Sequence, residues 1–319
     1  MSQINLKSVI LGVEATKGTP PAATAFYSMP ISKDVGLAVT ANSGTNDVLN
    51  GARLTNEDYL TTRSVSGTIP ITADYSNVYF PLALAMGVPA TVTDNANTTY
   101  TRIFTPQNLL PTVSVQREVQ SLDGLTSFYE LFSGVAIDGW SINIQDEKLQ
   151  VPMNAKGGVV SDTNDAGFTP IAVASAKTLT DTAVRKAHAV LKKGGVAYGL
   201  SSTFSIQVGN SISEVWYIGD GEYPSGLDFG KFTMSGTIQG IFDAAFLATA
   251  KNLGRIDFDI TFTSSADPLV KLTFTLTNVF IKYKTIPYNV GQRATLSLDW
   301  AADIHSTVSV TLTNKVAVY

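Results

Sequence analysis

Ser66-Gly67-Thr68-Ile69 recurs later in the chain as Ser235-Gly236-Thr237-Ile238. The first copy lies in Val65-Ser66-Gly67-Thr68-Ile69-Pro70-Ile71-Thr72. There Val65, Gly67, Ile69 and Ile71 share one face, and Ser66, Thr68 and Thr72 share the other. A two-residue alternation of this kind marks a strand with one buried face. The second copy ends a similar strand, predicted over residues 232–238. Each strand leads into the one amphipathic helix of its half, predicted over 75–86 and 242–253. In the first helix Val78, Leu82 and Met86 fall at i, i+4 and i+8, flanked by Tyr79 and Ala83, an apolar stripe. Asp74 and Ser76 stand where an N-cap belongs, and Gly87 and Gly254 where the helices should stop.

The similarity extends beyond the helices. Leu131-Phe132-Ser133-Gly134-Val135-Ala136-Ile137 has the pattern of Thr275-Leu276-Thr277-Asn278-Val279-Phe280-Ile281. In the first half strands are predicted over 25–31, 65–72, 112–120, 128–143 and 148–155, with a turn at Asp146-Glu147. In the second half they are predicted over 187–191, 203–208, 214–218, 232–238, 255–262, 270–284, 295–300 and 307–312. Gly219-Asp220-Gly221 reads as a tight turn. The chain therefore divides into two similar units, 1–157 and 158–319, joined by a Gly/Ser/Thr/Asp-rich run over 156–169. Two similar units in one chain can occupy neighbouring, quasi-equivalent places in a ring. Within the first unit, residues 1–21 read as an arm ending in a turn. Residues 40–64 read as a long polar loop, and 89–100 as another. Loops this long without periodicity are uncommon and usually functional or disordered.

Composition agrees with a mainly β chain. Of 319 residues 44% are hydrophobic and only 15% charged, where roughly a quarter is usual. Hydroxyls replace charges, with 37 Thr, 27 Ser and 25 Gly. Thr favours strands, and the Ala/Glu/Lys/Leu bias of long helices is missing. There is no Cys, which excludes disulfides, thiolate nucleophiles and Cys-based metal sites. Two histidines, His188 and His305, cannot build a multi-His metal site from one copy. A net charge of −4 argues against tight duplex binding. The N-terminal residues lack the apolar core of a signal peptide, and no apolar run reaches the roughly 18 residues of a membrane span. A soluble chain made in a cytoplasm is expected.

No catalytic motif emerges. There is no nucleophile elbow, phosphate loop or His-Glu-x-x-His. Asp220-Gly221-Glu222 lacks the further ligands of a calcium loop and reads as a turn. Asn97-Thr98-Thr99 is a sequon with no secretory signal to make it relevant. His188, on an apparently alternating strand, and His305, in a turn, have no obvious nucleophile or partner. No enzyme, cofactor or metal is expected. Acidic strands are more informative. Asp257 and Asp259 share a face of one strand with Thr261. Gln116, Glu118 and Gln120 share a face of the corresponding strand in the first half. Three readings stay open: a solvated sheet face, a glycosidase-like dyad, or a weakly acidic channel wall that repels phosphate.

Several stretches together resemble the tail tube proteins (major tail proteins) of long-tailed, non-contractile bacteriophages. They are Glu14-Ala15-Thr16-Lys17-Gly18-Thr19-Pro20, Tyr27-Ser28-Met29-Pro30-Ile31, the Ser-Gly-Thr-Ile strand before a helix ending Leu84-Ala85-Met86-Gly87, and Ser127-Phe128-Tyr129-Glu130-Leu131-Phe132-Ser133-Gly134-Val135. The resemblance covers nearly the whole chain. It implies a structural virion protein with a β-sandwich or part-barrel unit and one flanking helix per repeat. Inner sheets would join around a ring into a continuous β-barrel, and rings would stack into a conduit for DNA ejection. With two units per chain, three chains per ring with pseudo-sixfold symmetry are expected, a six-chain ring being the runner-up. A tape measure protein and a tail terminator are implied partners, with transient, non-specific passage of double-stranded DNA and no membrane. Assembly would take place in a host bacterial cytoplasm. Gln116, Glu118, Asp257 and Asp259 are the expected lumen residues. Asn46, Asp47, Leu49, Arg53, Glu57 and Asp58 are the expected inter-ring or inter-subunit loop. The alternative is a carbohydrate-binding or degrading β-rich tail module. It would cluster exposed aromatics beside carboxylates, whereas Trp140, Trp216 and Trp300 lie on distant strands.

Overall fold

Gly67 and Gly236, the glycines of the repeated tetrapeptide, sit where neighbouring strands leave no room for a side chain. A Cβ on Gly67 would lie 2.0 Å from the carbonyl oxygen of Gly36, and one on Gly236 would lie 1.9 Å from that of Ser205. The computed structural model describes residues 5–31, 35–45, 58–120, 126–144, 147–199, 201–219, 221–241, 243–282 and 294–319. Residues up to 162 form β1 (Asn5–Val13), β2 (Tyr27–Ser28), β3 (Ala38–Thr45), β4 (Asp58–Thr72), α1 (Tyr79–Met86), β5 (Val92–Asn95), β6 (Thr99–Phe104), β7 (Val113–Gln120), β8 (Ser127–Asn143), β9 (Gln150–Lys156) and β10 (Val159–Asp162). The remainder forms β11 (Lys177–Thr178), β12 (Ala189–Lys193), β13 (Val196–Ala197), β14 (Ser201–Gly209), β15 (Ser213–Val215), β16 (Gly226–Asp228), β17 (Thr233–Ile241), α2 (Ala244–Lys251), β18 (Arg255–Thr263), β19 (Lys271–Lys282), β20 (Thr295–Ala301) and β21 (Thr307–Asn314). Strand is 54% of the structure, and the two helices are short.

One succession of strand pairs occurs in both halves. In the first, β3 pairs β4, β4 pairs β9, and β9 pairs the distal part of β8. The proximal part of β8 lies between β7 and β10, and β7 also pairs β1. In the second, β14 pairs β17, β17 pairs β20, and β20 pairs the distal part of β19. The proximal part of β19 lies between β18 and β21, and β18 also pairs β12. Helix α1 packs on β8, and α2 on β19. Among the described residues three ladders join the halves, β8 with β14, β6 with β21 and the short parallel pair of β2 with β11.

Several expectations are corrected. The stretch expected as an arm holds strand β1, antiparallel to β7. Its Val9, Ile10 and Leu11 are all buried, so both faces are covered and no alternation advertises it. Within the expected loop over 40–64, residues 40–45 and 58–64 belong to the antiparallel strands β3 and β4, and residues 46–57 lie outside the described residues. The outer portion of this pair faces water on both sides, so polar residues suit every position, and the ladder is reinforced by Asn42–Thr62 and Thr61–Asn42 bonds of 2.9 Å. The expected loop over 89–100 contains β5 and the start of β6, which form a hairpin. Helix α1 starts at Tyr79, later than expected, and is not amphipathic: all eight residues are buried. Asp74 closes the turn before it, accepting from the amides of Ser76 (2.8 Å) and Asn77 (2.7 Å). Helix α2 is capped by Asp243, which accepts from Ala245 and Phe246 and pairs with Lys193 at 2.9 Å. His188 ends a 3-10 turn (Lys186–His188) and does not lie in a strand. The strand expected over 214–218 is only β15, which pairs β16 in a small separate sheet.

A polar knot ties the end of the chain to the first half. The Tyr319 ring stacks on Tyr79 at 3.8 Å, and its hydroxyl donates to the carbonyl of Ser76 at 2.6 Å. Buried Arg102 donates to Asn314 Oδ1 (3.1 Å) and to the carbonyls of Val316 and Ala317. Asn314 in turn donates to the carbonyl of Tyr75. A buried guanidinium is tolerated because it donates to these three oxygens and lies over the Tyr319 ring.

Two outcomes follow from these contacts. Gly67→Ala and Gly236→Ala should each lower stability by about 1–3 kcal/mol through overpacking against backbone. Gly199→Ala, with nothing within 4 Å, serves as the control in the same thermal unfolding series. The second concerns Asp74, whose burial raises its carboxyl from 3.8 to about 6. The folded state then holds the proton more tightly than the unfolded state. Its contribution is fully present below 3.8 and lost as pH rises through about 6. Chemical denaturation across this window should show stability falling with pH, and Asp74→Asn should flatten that slope.

Candidate assembly and lumen surfaces

The acidic strands predicted to be equivalent have different surroundings. On β7, Gln116 is 1% exposed and Glu118 4% exposed. The Gln116 amide exchanges two hydrogen bonds with the backbone of Ile171, at 2.7 and 2.8 Å. Glu118 accepts from Ser8 Oγ (2.9 Å), Ser127 Oγ (2.7 Å) and the Tyr129 hydroxyl (3.2 Å). Both side chains therefore serve contacts within the chain and do not line its open surface. Alternation correctly separates them from Val115, but the segment around Ile171 that covers them is remote in sequence.

On β18, Asp257 is exposed and Asp259 half-buried, on one face with half-buried Thr261. The opposite face carries buried Phe258, Ile260 and Phe262. Asp259 stands opposite Lys192 of β12 and Thr275 of β19. This face continues across neighbouring strands through hydroxyls. Thr261 pairs with Thr273, Thr273 with Thr311, Thr275 with Ser309, and Thr313 with Thr101. Side-chain bonds join Thr261 to Thr273 (3.2 Å), Thr101 to Thr313 (2.9 Å) and Ser205 to Thr237 (2.8 Å). Such cross-strand Thr pairs add to ladder stability, and they keep a broad surface wettable without charge.

A carboxylate marks the bend in each half. In β8 the register shifts beside Gly134, which has φ of 71°. In β19 it shifts beside Asn278, with φ of 60°. Gly and Asn are the residues that best tolerate this left-handed backbone. The Gly134 amide donates to Glu14 Oε1 at 2.8 Å, and the Asn278 amide donates to Asp257 Oδ1 at 2.7 Å. Glu14 also accepts from the Gly18 amide (2.8 Å), Thr112 Oγ1 (2.6 Å) and Ser114 Oγ (2.6 Å), and is 5% exposed. Nothing in Glu14-Ala15-Thr16-Lys17-Gly18-Thr19-Pro20 marks it in the sequence. Its role arises from contacts with residues about a hundred positions away. Asp257, expected as a lumen residue, thus also holds backbone.

The predicted loop residues Asn46, Asp47, Leu49, Arg53 and Glu57 lie outside the described residues, and Asp58 begins β4. His305 lies in a turn whose backbone is held by Asp303 and Asn278. Among the described residues, no three His, Asp or Glu side chains converge as metal ligands. No helix among them is long and apolar enough to cross a membrane.

A repeated bent-strand unit, a hydroxyl-covered sheet face and carboxylates engaged in holding backbone describe a building block. Residues 5–311 match the phage tail tube protein family, and the chain belongs to that family. Its members are structural components of the phage tail and polymerise into tubes. No curated protein matches the chain.

Replacing Glu14 should disclose its structural weight. Glu14→Ala leaves four donors without their acceptor and should cost about 3 kcal/mol or more. Asp257→Ala, at an exposed bend where water can replace the carboxylate, should cost less than about 1 kcal/mol. Urea denaturation of both variants checks the order.

Proposed function

We propose that this chain is a duplicated tail tube subunit, three copies of which form a ring of six pseudo-equivalent units. Residues 1–157 and 158–319 would be the units, with β10 at the start of the second stretch completing the first unit, each a β-sandwich or part-barrel with one helix. The observation that carries this reading is the matched succession of strand pairs. Strands β1, β3, β4, β7, β8, β9 and β10 correspond in order and pairing to β12, β14, β17, β18, β19, β20 and β21. The helices α1 and α2 fall at the same point in each series. The left-handed residues Gly134 and Asn278 fall at the same point too.

The in-chain ladder between β8 and β14 then suggests how rings close. It attaches β14 of the second unit to the distal part of the bent strand in the preceding unit. Strand β3, the counterpart of β14, has no described partner on its outer edge. A strand from a second copy on that edge would repeat the same junction between chains and remove the exposed edge. The inner sheets would thereby join into a barrel around the ring. Residues 46–57, which connect β3 to β4 in sequence, would contact a neighbouring subunit or ring.

The β18 face supplies the lumen in this reading. Asp257 and Asp259 give it weak negative charge, and its hydroxyls give it water without binding sites for phosphate. Such a wall lets DNA pass without sticking. Gln116 and Glu118 take no part in it. A tape measure protein within the tube, a terminator at its end and assembly in a bacterial cytoplasm complete the proposal.

Negative-stain microscopy of the purified chain should show tubes with an open channel, and mass measurement of single rings should return three copies. Six copies would favour the alternative ring, and absence of tubes would overturn the reading. Because the chain has no Cys, Asp259→Cys gives one labelling position. A gold cluster attached there should appear on the tube axis; gold along the outer rim would remove β18 from the lumen.

A further inference from the structure

The chain passes from its first half to its second along residues 170–185, which lie as a strap across the first half. Near its start the Ile171 backbone is held by the Gln116 side chain. In its middle the Lys177 amide donates to the Phe26 carbonyl at 2.8 Å, and β11 runs parallel to β2. Near its end buried Val184 donates its amide to the Ala73 carbonyl at 3.0 Å and accepts from the Leu149 amide at 2.9 Å. Between these points the strap crosses the turn that opens α1. Ala183 pairs with Asp74, and the Tyr75 amide donates to the Thr182 carbonyl at 3.3 Å.

Ser76 is the hub of this crossing. Its amide donates to Asp74 Oδ1 at 2.8 Å and its hydroxyl to Asp181 Oδ2 of the strap at 3.4 Å, while its carbonyl accepts from Tyr319. Asp74 also accepts from the Asn77 amide and from Asn77 Nδ2, at 2.7 and 3.0 Å. Two carboxylates thus flank one buried serine. The other titratable or charged groups at the junction are Tyr75 on the turn, Tyr319 with Arg102 over its ring at 4.9 Å, and Lys315, which pairs with Asp267 at 2.8 Å. Burial pushes both tyrosine hydroxyls up, so both stay neutral. Burial also raises the Asp74 carboxyl to about 6, against the pull of its backbone donors and with the help of the Asp181 charge.

We propose that residues 170–185 act as a pH-operated latch on the first half, closed while Asp74 is protonated and loosened when it ionises. In the closed form the strap covers Asp74 through Ala183 and holds Asp181 across Ser76 from it. An ionised Asp74 there is both desolvated and faced by a like charge. Opening the strap returns the carboxylate to water, so ionisation favours the open form. The proton is held more tightly closed than open. The closed form therefore gains at low pH and loses that gain as pH rises through about 6. The latch concerns local opening of the strap, a smaller event than the unfolding whose slope Asp74 also sets. Thr182 Oγ1 accepts from Ser264 Oγ of the second half at 3.2 Å, so the latch lies where both halves meet.

Hydrogen exchange of the full chain tests it, with protection factors corrected for the intrinsic rate at each pH. The probe is the Val184 amide and the reference is the set of amides in central β18. At about pH 7.5 Val184 should exchange faster than the reference, because the strap opens without the rest of the fold. Its protection should rise about tenfold on going to about pH 5, the factor supplied by a carboxyl held at about 6 when closed and near 3.8 when open. Asp74→Asn keeps the shape and removes the charge. Its strap should stay latched, with Val184 protection independent of pH. Three results would overturn the proposal: wild-type protection at Val184 that does not change with pH, Val184 as protected as β18 at about pH 7.5, or a pH dependence that survives in Asp74→Asn. The first two are read on the wild-type chain, so the test stands even where the variant fails to fold.

Discussion

The bent strand is the constraint on which the rest of each half depends. Strand β8 begins between β7 and β10 and ends against β9 and β14. To exchange partners it must add a residue and turn, and it does so at Gly134. Strand β19 makes the same exchange at Asn278, from β21 to β20. A β-bulge leaves an amide without a ladder partner, which is expensive where it is buried, as at Gly134. Glu14 and Asp257 meet that need from different sequence positions. Helices α1 and α2 pack on β8 and β19, so the bend also determines where the apolar core of each half can form.

The low charge of the chain has a structural counterpart. Ordinary soluble domains keep their surfaces wet with Lys and Glu. Here the outer face of β17 to β21 is largely Thr and Ser, paired across strands. Hydroxyls bind water well enough for solubility but cost less to desolvate than charges when another surface covers them. They also commit no single point to strong electrostatic binding. Some of the charges present are engaged in local structure, as with Lys193–Asp243 and Arg255–Asp303.

The strands of the second half were legible because they have one dry face and one wet face. In β18, β19, β20 and β21 buried and partly exposed residues alternate almost without exception. Where that asymmetry is absent, sequence patterning has nothing to report. β1 is buried on both faces, the outer part of the β3–β4 pair is exposed on both, and α1 is buried all round. Each departs from its expected form for that reason. The recurrence of Ser-Gly-Thr-Ile was legible because close strand approach demands glycine at both places. The surface residues were less so. Alternation placed Asp257 and Asp259 on a common face, but it could not show that the segment near Ile171 covers Gln116. Nor could it reveal Glu14, whose four donors are assembled only by tertiary structure.

The knot around Tyr319 bears on the order in which the molecule can be built. Its hydroxyl meets the Ser76 carbonyl across 243 positions of sequence. The aromatic group of Tyr27, Tyr79 and Phe80 against which it packs belongs wholly to the first half. The earlier half therefore cannot complete its interior until the later half has delivered Tyr319. Contacts this distant are slow to form because a long loop must close first. The halves are alike in strand pairing, yet this long-range closure ties them together, and neither half is finished alone.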